Sequence, residues 1–389
     1  STPCAPTVVS APAAGGDRQT GVWTTDFLGT EGYNSGSDTD TDDNLFPDYN
    51  STMSGTSAAS PIVAGVVALM LEANSDLGWR DVKEILAYTA RHVGSEVGAG
   101  HSGNGITTWE LNDWNFNGAA NWNGGGLHFN NDYGFGLVDA AAAVRLAKSW
   151  TAQSTSANEE VITTAALISL AVPDNDPVGA SIVFNLSGNA AFDIEHVTLE
   201  IDWSATVNVR ELIITLTSPD GLTSYLINRP GTAFGGSGLA VGKLNNFEFS
   251  SNAFRGTGNV NGDWTVTVSD NVAGGAGTIS GITLAIYGAT DGADDSYIYT
   301  NEYGAYAGTF SHSQTLADGD GGIDTVNAAA VSSAMTINLN TGIGGMIAGQ
   351  SFTTDGTIEN IIGGAGGDTI TGNALNNRLD GGMGADVMT

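Results

Sequence analysis

Residues 54–71 read SGTSAASPIVAGVVALML, and this stretch decides how the first part of the chain folds. Its small and apolar residues predict a helix over residues 57–74, with Pro61 in the first turn, where a missing N–H removes no hydrogen bond. A serine at the start of such a helix has free N–H groups and the positive dipole end beside its hydroxyl. This environment suits a nucleophile whose attack creates an oxyanion, although an N-capping serine on a core helix would fit the local pattern too.

The full string contains more than a helix cap requires. Gly55-Thr56-Ser57 is followed by a small residue and then by Pro61, four positions after the serine. In this it resembles the nucleophile segment of subtilisin-like serine peptidases. The Gly-x-Ser-x-Gly motif of other hydrolases is excluded, because position 59 is alanine. The resemblance implies that Ser57 is the acyl-forming nucleophile and that its backbone N–H is one oxyanion donor.

The histidines lie on the wrong side of this serine for a complete catalytic set. Subtilisins carry their catalytic residues in the order Asp, His, Ser. Here every histidine follows Ser57: His92, His101, His128, His196 and His312. We therefore expect the general-base His, the orienting Asp and the oxyanion Asn to lie upstream of this chain, which would be the C-terminal portion of a longer protein and inactive alone.

Composition restricts the partners. The chain has 42 acidic against 11 basic residues, and its formal charge is −31. Such a surface disfavours nucleic acids and anionic membranes and favours divalent cations. Cys4 is the only cysteine, so no internal disulfide forms, as in a cytosolic protein or an exported bacterial protein stabilised by calcium. The longest apolar stretch, residues 62–71, predicts no membrane span. The acidic run at 38–44 lacks the Gly and Glu of an EF-hand, which favours a solvated loop over a metal site.

Residues 1–150 are predicted to form an α/β domain. Short strands are expected at 7–10 and 21–25, a second helix at about 79–91, and a third helix opening at Tyr133 and running to about Trp150. Two segments, WRDVKEIL at 79–86 and NDYGFGLVDA at 131–140, resemble the kexin/furin branch of the subtilisins. In this order after the serine motif, they identify the domain as the C-terminal part of a subtilisin-like peptidase.

Residues 151–290 are predicted to be all-β after a polar linker at 151–160. Apolar and polar residues alternate at 196–201, 212–216 and 282–287, which is typical of an antiparallel sandwich or jelly roll. The segment is similar to the P domain that follows the catalytic domain in kexin and furin, with SPDG at 218–221 and GDW at 262–264. A sugar-binding module is the alternative. His196 lies in an alternating strand and is expected to be packed and not catalytic.

Residues 291–389 carry a nine-residue period and resemble the C-terminal region of serralysin-type proteins. The stretches 363–371 and 381–389 fit a calcium-binding nonapeptide, 372–380 is a degenerate copy with Asn377 at the Asp position, and 319–327 is a near match. A Gly/Asp-rich linker would not repeat an apolar residue at the eighth position. Ile370, Leu379 and Met388 are therefore expected to share a core inside a parallel β-roll.

The repeat predicts the ligands of calcium, which prefers carbonyl and carboxylate oxygens. The predicted metal-binding residues are Gly363, Gly364, Gly366, Asp368, Gly381, Gly382, Gly384 and Asp386. Successive repeats should alternate between two sides of a flattened coil, so that Asp368 and Asp386 share an ion and the tail folds only with calcium.

These features predict a calcium-dependent serine endopeptidase that acts on polypeptides and is represented here by a fragment. The serralysin-like tail implies an extracellular bacterial protein exported by type I secretion. The alternative is a calcium-stabilised adhesion or binding protein in which the peptidase-like segment is only a scaffold. An upstream Asp, His and Asn would distinguish the two.

Overall fold

The computed structural model describes residues 5–13, 21–29, 31–32, 48–98, 110, 112–204, 208–229, 246–274 and 277–389. Cys4, the acidic run at 38–44 and His101, all discussed above, lie outside this part of the chain. Its helices are α1 (Thr56–Ala73), α2 (Trp79–Thr89), α3 (Ala140–Ser149) and the short α4 (Tyr303–Tyr306).

The strands of the described residues fall into three groups. The N-terminal region (residues 1–150) contains β1 (Val22–Thr25), β2 (Tyr49–Met53), β3 (Asn115–Phe116) and β4 (His128–Phe129). The sandwich region (residues 151–290) contains β5 (Glu160–Val172), β6 (Asp176–Leu186), β7 (Phe192–Trp203), β8 (Leu212–Thr217), β9 (Thr223–Asn228), β10 (Phe247–Ser251), β11 (Gly262–Asp270) and β12 (Gly277–Thr290). The C-terminal region (residues 291–389) contains β13 (Ser296–Ile298), β14 (Thr315–Leu316), β15 (Thr325–Asn327), β16 (Thr336–Asn338), β17 (Gly344–Ile347), β18 (Gln350–Thr354), β19 (Asn360–Ile362), β20 (Thr369–Thr371), β21 (Leu379–Asp380) and β22 (Val387–Met388).

The N-terminal region contains the predicted first two helices but differs elsewhere. The predicted third helix begins at Ala140 and not at Tyr133, because Gly134 and Gly136 have φ of +66° and +130° and Asp139 caps the helix by accepting from the N–H of Ala142. The predicted strand at 7–10 is a single parallel bridge between Ser10 and Leu137. The sheets described here are two small antiparallel pairs, β1–β2 and β3–β4, so the helices carry most of the predicted α/β character.

Helix α1 has an unusual surface. Its buried residues are Ala58, Val66 and Met70, whereas Leu69 and Leu71 are exposed. Among the described helices, α1 is long and apolar enough to cross a membrane, a test that a core helix of a soluble protein also passes. The predicted absence of a membrane span therefore stays a prediction.

The sandwich region consists of two four-stranded antiparallel sheets, as the alternating pattern predicted. One has the order β10-β7-β12-β5 and the other β6-β11-β8-β9. Alternate residues of β7 and β8, such as Leu199, Ile201 and Ile214, are fully buried between the sheets with Trp264 of β11. The outward residues of these strands are mostly polar, such as Glu200 and Thr215, although Ile213 of β8 is an exception.

The C-terminal region is built from parallel ladders. Strands β13, β15, β19 and β21 form one parallel sheet, and β16, β20 and β22 pair in parallel within a second sheet of six strands. Ile361 pairs with Leu379 and Ile370 with Met388, so residues eighteen apart are neighbours, as alternating nonapeptides require. Ile370 is buried and Leu379 half-buried, but Met388 is 50% exposed. The expectation of a buried Met388 is wrong, because β22 lies at the sheet edge.

The three regions are packed tightly together. Residues 151–160 are not a free linker, because the Ser154 carbonyl accepts from the Arg80 N–H and the Ser154 N–H donates to Asp81. Arg145 of α3 donates to the carbonyls of Ala329 and Ala330 in the C-terminal region, at 3.0 and 2.8 Å. The C-terminal region is thus anchored directly on the N-terminal region.

Candidate functional site

Ser57 is the second residue of α1 and is exposed. Gly55 at the N-cap has φ of 80° and ψ of −172°, a backbone conformation that side-chain-bearing residues rarely adopt, and it turns the chain abruptly into the helix. The first hydrogen bonds of the helix run from the N–H groups of Ala58 and Ala59 to the Gly55 carbonyl. The Ser57 N–H precedes them, so the helix itself offers it no acceptor. The serine hydroxyl and a free helix N–H therefore sit together at the surface.

An open cavity of about 730 Å³ adjoins Ser57. It is lined by the end of β1, by residues of β2, and by Asp26, Phe27 and Ser54. Phe27 is 72% exposed and offers an apolar wall. The Asp26 carboxylate accepts from the Phe27 N–H at 2.8 Å, so it stabilises the turn that follows β1. The cavity can admit an extended chain beside the serine hydroxyl.

The histidines described by the structure do not approach this serine. None of them lines the cavity. His92, His128 and His312 lie together at the contact with the C-terminal region, and His196 lies in the sandwich. His196 stacks on Tyr287 with ring centroids 4.5 Å apart, and burial together with the nearby Lys83, Arg255 and Arg80 lowers its pKa to about 3. This agrees with the predicted packing role of His196.

The predicted calcium-binding residues form two stacked turns. The structure places residues 363–367 directly against residues 381–385. A methyl group added at Gly382 would lie 2.4 Å from the Gly364 carbonyl oxygen, and one at Gly384 would lie 2.0 Å from that of Gly366. Both glycines have positive φ, +78° and +124°. Carbonyl oxygens of one turn therefore face the next turn across a gap that only glycine leaves open.

The aspartates of these turns are close to each other and are held by the backbone. Asp368 is 1% exposed, and its carboxylate accepts from the N–H groups of Met335 and Gly364, both at 2.9 Å. The Asp368 N–H in turn donates to Asp386 at 2.8 Å. Burial raises the pKa of Asp368, the two backbone donors oppose that shift, and Asp386 adds to it.

The sequence reasoning missed this turn-forming role of the aspartate position. In the degenerate repeat, Asn377 accepts from the Asn373 N–H at 2.8 Å, just as Asp368 accepts from Gly364 four residues before it. The glycine five residues before each of these positions lies against the side chain. A methyl group added at Gly372 would lie 2.2 Å from the Asn377 oxygen, and one at Gly381 would lie 2.4 Å from an Asp386 oxygen. The repeat thus encodes a side-chain-capped turn, whether or not the predicted ligands bind an ion.

A second acidic group was not predicted. Asp295, Asp318 and Asp320 bring carboxylate oxygens within 4.8 Å of one another, a distance at which exposed acidic groups are also common without an ion. Burial and nearby carboxylates raise the pKa of Asp295, and raise that of the buried Asp324 to about 6. The sequence signals were the Asp pair at 294–295 and the near-match repeat at 319–327.

A third feature is a cavity of about 390 Å³ where the three regions meet. Glu84 of α2 and Asp193 of β7 line it. Burial raises the pKa of Glu84 to about 8 and that of Asp193 to about 7; Arg255 opposes both shifts. The cavity is separate from the surface around Ser57.

Comparisons with known proteins agree with this geometry. The subtilase family model (peptidase S8) matches residues 5–136, and the proprotein convertase P-domain model matches residues 194–286. Proprotein convertase subtilisin/kexin type 6 of Rattus norvegicus is 32% identical over 220 residues, which is 56% of this chain and 20% of that protein. Neuroendocrine convertase 2 of Mus musculus is 34% identical over 183 residues, 45% of this chain and 25% of that protein.

A solved structure shows the same fold. The serine protease of Aeromonas sobria superposes with a TM-score of 0.52 at 22% identity, over 70% of this chain and 51% of that one. The chain spans only 20% and 25% of the two convertases named above. The two family models show that the chain contains a subtilase region and a proprotein convertase P-domain, as the motifs predicted, and its relatives are kexin/furin-like.

Proposed function

We propose that this chain is part of a secreted, calcium-dependent serine endopeptidase that cleaves polypeptides by a Ser-His-Asp mechanism with Ser57 as the nucleophile. The observation that carries the proposal is the position of Ser57: exposed, at the first turn of α1, beside a free helix N–H and an open cavity. The kexin/furin-like relatives support the same chemistry.

The residues of this chain supply the nucleophile and one oxyanion donor of the proposed reaction. The Ser57 Oγ attacks the carbonyl carbon of the scissile peptide, and the Ser57 N–H stabilises the oxyanion that forms. The C–N bond then breaks, the amine leaves with a proton, and water hydrolyses the acyl-serine. The proton from Oγ must go to a general base, and the described histidines lie away from the cavity. We infer that the base, its orienting Asp and the oxyanion Asn belong to a segment that precedes these residues.

The test compares this chain with a longer protein of the kind that the proposal requires. This chain alone should give no measurable cleavage of a mixed peptide library. In the longer protein, Ser57→Ala should lower kcat on the order of 10⁶-fold. Ser60→Ala, an exposed serine one turn along α1, is the matched control and should leave turnover unchanged.

Two outcomes would contradict the proposal. Turnover by this chain alone that is lost in Ser57→Ala would place the base within the chain. No turnover by a longer protein that contains the Asp, His and Asn would favour the alternative, a calcium-stabilised binding protein with a non-catalytic scaffold.

We also propose that calcium binds between the stacked turns of the C-terminal region, as in a parallel β-roll. The residues fit this ion. They offer only carbonyl and carboxylate oxygens, and the close approach of Gly382 and Gly384 to the carbonyls of Gly364 and Gly366 keeps those oxygens facing the gap. Gly363, Gly381, Asp368 and Asp386 would complete the ligands, and bound calcium would neutralise the two aspartates.

A calcium titration of the full chain tests this site. Calcium should raise the thermal midpoint of the C-terminal region, because an ion that binds only the folded state stabilises it. Asp368→Asn keeps one accepting oxygen, as Asn377 does in its own repeat, but removes the charge and the second accepting oxygen. It should bind calcium at least tenfold more weakly than wild type and need at least a tenfold higher calcium concentration to fold.

Asp263→Asn, an exposed acid on β11, is the matched control. An Asp368→Asn protein with the calcium response of wild type would reject the assignment. The proposed location is extracellular, with export by a type I system; support comes from the acidic composition and the nonapeptide tail.

A further inference from the structure

Three histidines are buried where the C-terminal region packs on the N-terminal region. His92 follows α2, His128 lies in β4 and His312 follows α4. His128 and His312 are 1% and 2% exposed. We call these three residues the histidine cluster. Their rings contact Trp114 and Trp122, among other aromatic side chains.

The hydrogen bonds of His92 and His128 both end on residues that can only accept. The His92 Nε2 lies 2.8 Å from the Ser95 carbonyl, so this nitrogen carries a proton. The His128 Nε2 lies 2.6 Å from one Glu302 oxygen, and the other Glu302 oxygen accepts from the His92 backbone N–H at 2.6 Å. The buried Nδ1 of His128 has no hydrogen-bond partner among the described residues. Neutral rings satisfy these bonds, whereas a protonated His128 would form an ion pair with Glu302, so within the cluster the cost of protonation falls on His92 and His312.

The His312 ring has no side-chain hydrogen-bond partner within the described part of the chain, although backbone groups of Thr309, Gly126 and Phe310 lie near it. Both ring nitrogens are buried without a hydrogen bond. The ring packs edge-on against Phe116, with centroids 4.5 Å apart, and near Trp122 at 5.7 Å. A methyl group added at Gly125 would lie 2.5 Å from the His312 ring, so no space remains for water on that side. A charge on His312 would be buried with no side-chain hydrogen-bond partner among the described residues.

The same contact holds the C-terminal region in place. The Ser313 N–H donates to the Gly124 carbonyl at 2.6 Å, and the Ile298 N–H donates to the Asn121 carbonyl at 2.8 Å. Asn123 and Thr300 exchange two hydrogen bonds, at 2.8 and 3.0 Å. Residues 298–313 therefore lie across the loop 121–128, and the histidine cluster fills the space between them.

We propose that the histidine cluster is an acid-sensitive latch that keeps residues 298–313 docked at neutral pH and releases them as the pH falls below about 6.5. Protonation of His312 and His92 buries charges among aromatic rings, whereas the undocked segment exposes His312 to water, where the charge costs little. Docking of residues 298–313 therefore disfavours protonation of His92 and His312, and their protonation disfavours docking.

The charged neighbours determine the direction of the effect. Burial lowers the pKa of His92 and His312, and a charged His128 would lower both further. Glu302 and Glu96 oppose the shift of His92, and backbone groups of Thr309, Gly126 and Phe310 oppose that of His312. Glu110 is bound to the turn at Ser95 and faces His92 from that side. Because the docked pKa values are lowered, docking is fully stabilised above the ordinary histidine pKa of about 6.5 and weakens below it.

Hydrogen exchange of the full chain at constant excess calcium tests the latch. Protection of amides in residues 298–313, corrected for intrinsic exchange, should fall between pH 7.5 and 5.0. The expected fall is roughly 30-fold for each histidine that stays neutral at pH 5. His312→Phe keeps an aromatic ring without a titratable group and should remove its share of this fall. His196→Phe changes a half-buried histidine in the sandwich, outside the latch, and should leave the fall unchanged.

The readout separates the latch from the proposed calcium site. Amides of β20 and β22 report on the calcium turns and should keep their protection over this pH range. Wild-type protection of residues 298–313 that is independent of pH would overturn the proposal, as would an equal pH dependence in His312→Phe. If circular dichroism shows that His312→Phe does not fold, His312→Met takes its place. A fall in wild type that extends equally to β20 and β22 would also contradict a local latch.

Discussion

Arg80 joins the N-terminal region to the sandwich, and its removal should be the most destabilising single change at this contact. Arg80 is 1% exposed on α2. Its Nε lies 2.9 Å from both carboxylate oxygens of Glu195, and a second nitrogen also donates to Glu195. The remaining N–H groups donate to the carbonyls of Thr155 and Gly288, at 3.0 and 3.2 Å, and to the side-chain oxygen of Asn158 at 3.1 Å. Every donor is used, across three segments.

The expected magnitude follows from what Arg80→Ala would leave behind. Glu195 is 5% exposed, so its charge would stay buried without a partner, and two carbonyls would lose their donor. Breaking one side of a buried ion pair costs about 3–5 kcal/mol of unfolding free energy. Arg91→Ala is the matched control: that side chain is 57% exposed and lies 3.4 Å from Asp139, so its loss should cost less than about 1 kcal/mol.

Urea unfolding of the full chain, followed by tryptophan fluorescence, measures both variants. Arg80→Met combined with Glu195→Leu removes both members of this ion pair and fills the space, and it should recover most of the loss, since neither charge is left buried without the other. The reasoning fails if Arg80→Ala costs no more than Arg91→Ala. It also fails if the double variant is less stable than Arg80→Ala.

Two further changes test the C-terminal turns and the sandwich histidine. Gly384→Ala adds a methyl group 2.0 Å from the Gly366 carbonyl at a φ of +124°, so the amides of Val387 and Thr389 should exchange faster. Gly292→Ala, with open space around it, is the control and should not change these amides. Equal exchange in both variants would show that the turns are not tightly stacked. His196→Gln removes a ring whose pKa is lowered to about 3, so the wild type should lose stability relative to this variant as the pH falls below about 6.5. A difference in thermal midpoint that stays constant from pH 8 to 4 would contradict a His196 that is neutral in the folded protein.

Sequence patterns predicted the elements that depend mainly on residues close to one another in the sequence. The apolar run after Ser57 gave α1 within one residue at each end, and the alternating segments lie inside β7, β8 and β12. The eighteen-residue register of β20 and β22 follows from the repeat itself. Predictions failed where a glycine conformation or a sheet edge decides the outcome. Gly134 and Gly136 delay α3, and the edge position of β22 exposes Met388.

The geometry of the candidate site was predictable in part. The motif predicted a serine at the start of a helix, and the repeat predicted that Asp368 and Asp386 lie close together; their roles stay predictions. The cavity beside Ser57 could not be predicted, because it depends on how β1 and β2 pack against the start of α1. The hydrogen bond from the Gly364 N–H to Asp368 was not predicted either. The repeat pattern indicates which residues could bind calcium, but it does not indicate that the same carboxylate caps its own turn.

Hydrogen bonds between residues far apart in sequence attach the C-terminal region to the rest of the chain. Asn123 meets Thr300, His128 meets Glu302, and Ser149 meets Asn327, pairs separated by 177, 174 and 178 positions. No short period can encode such pairs, so the repeat alone does not predict that the C-terminal region docks on the rest of the chain. Because α3 and the loop 121–128 are part of the same core as α1, calcium bound at residues 363–386 would stabilise the helix that presents Ser57. The tail then acts on the proposed active site through packing, with no contact to the serine.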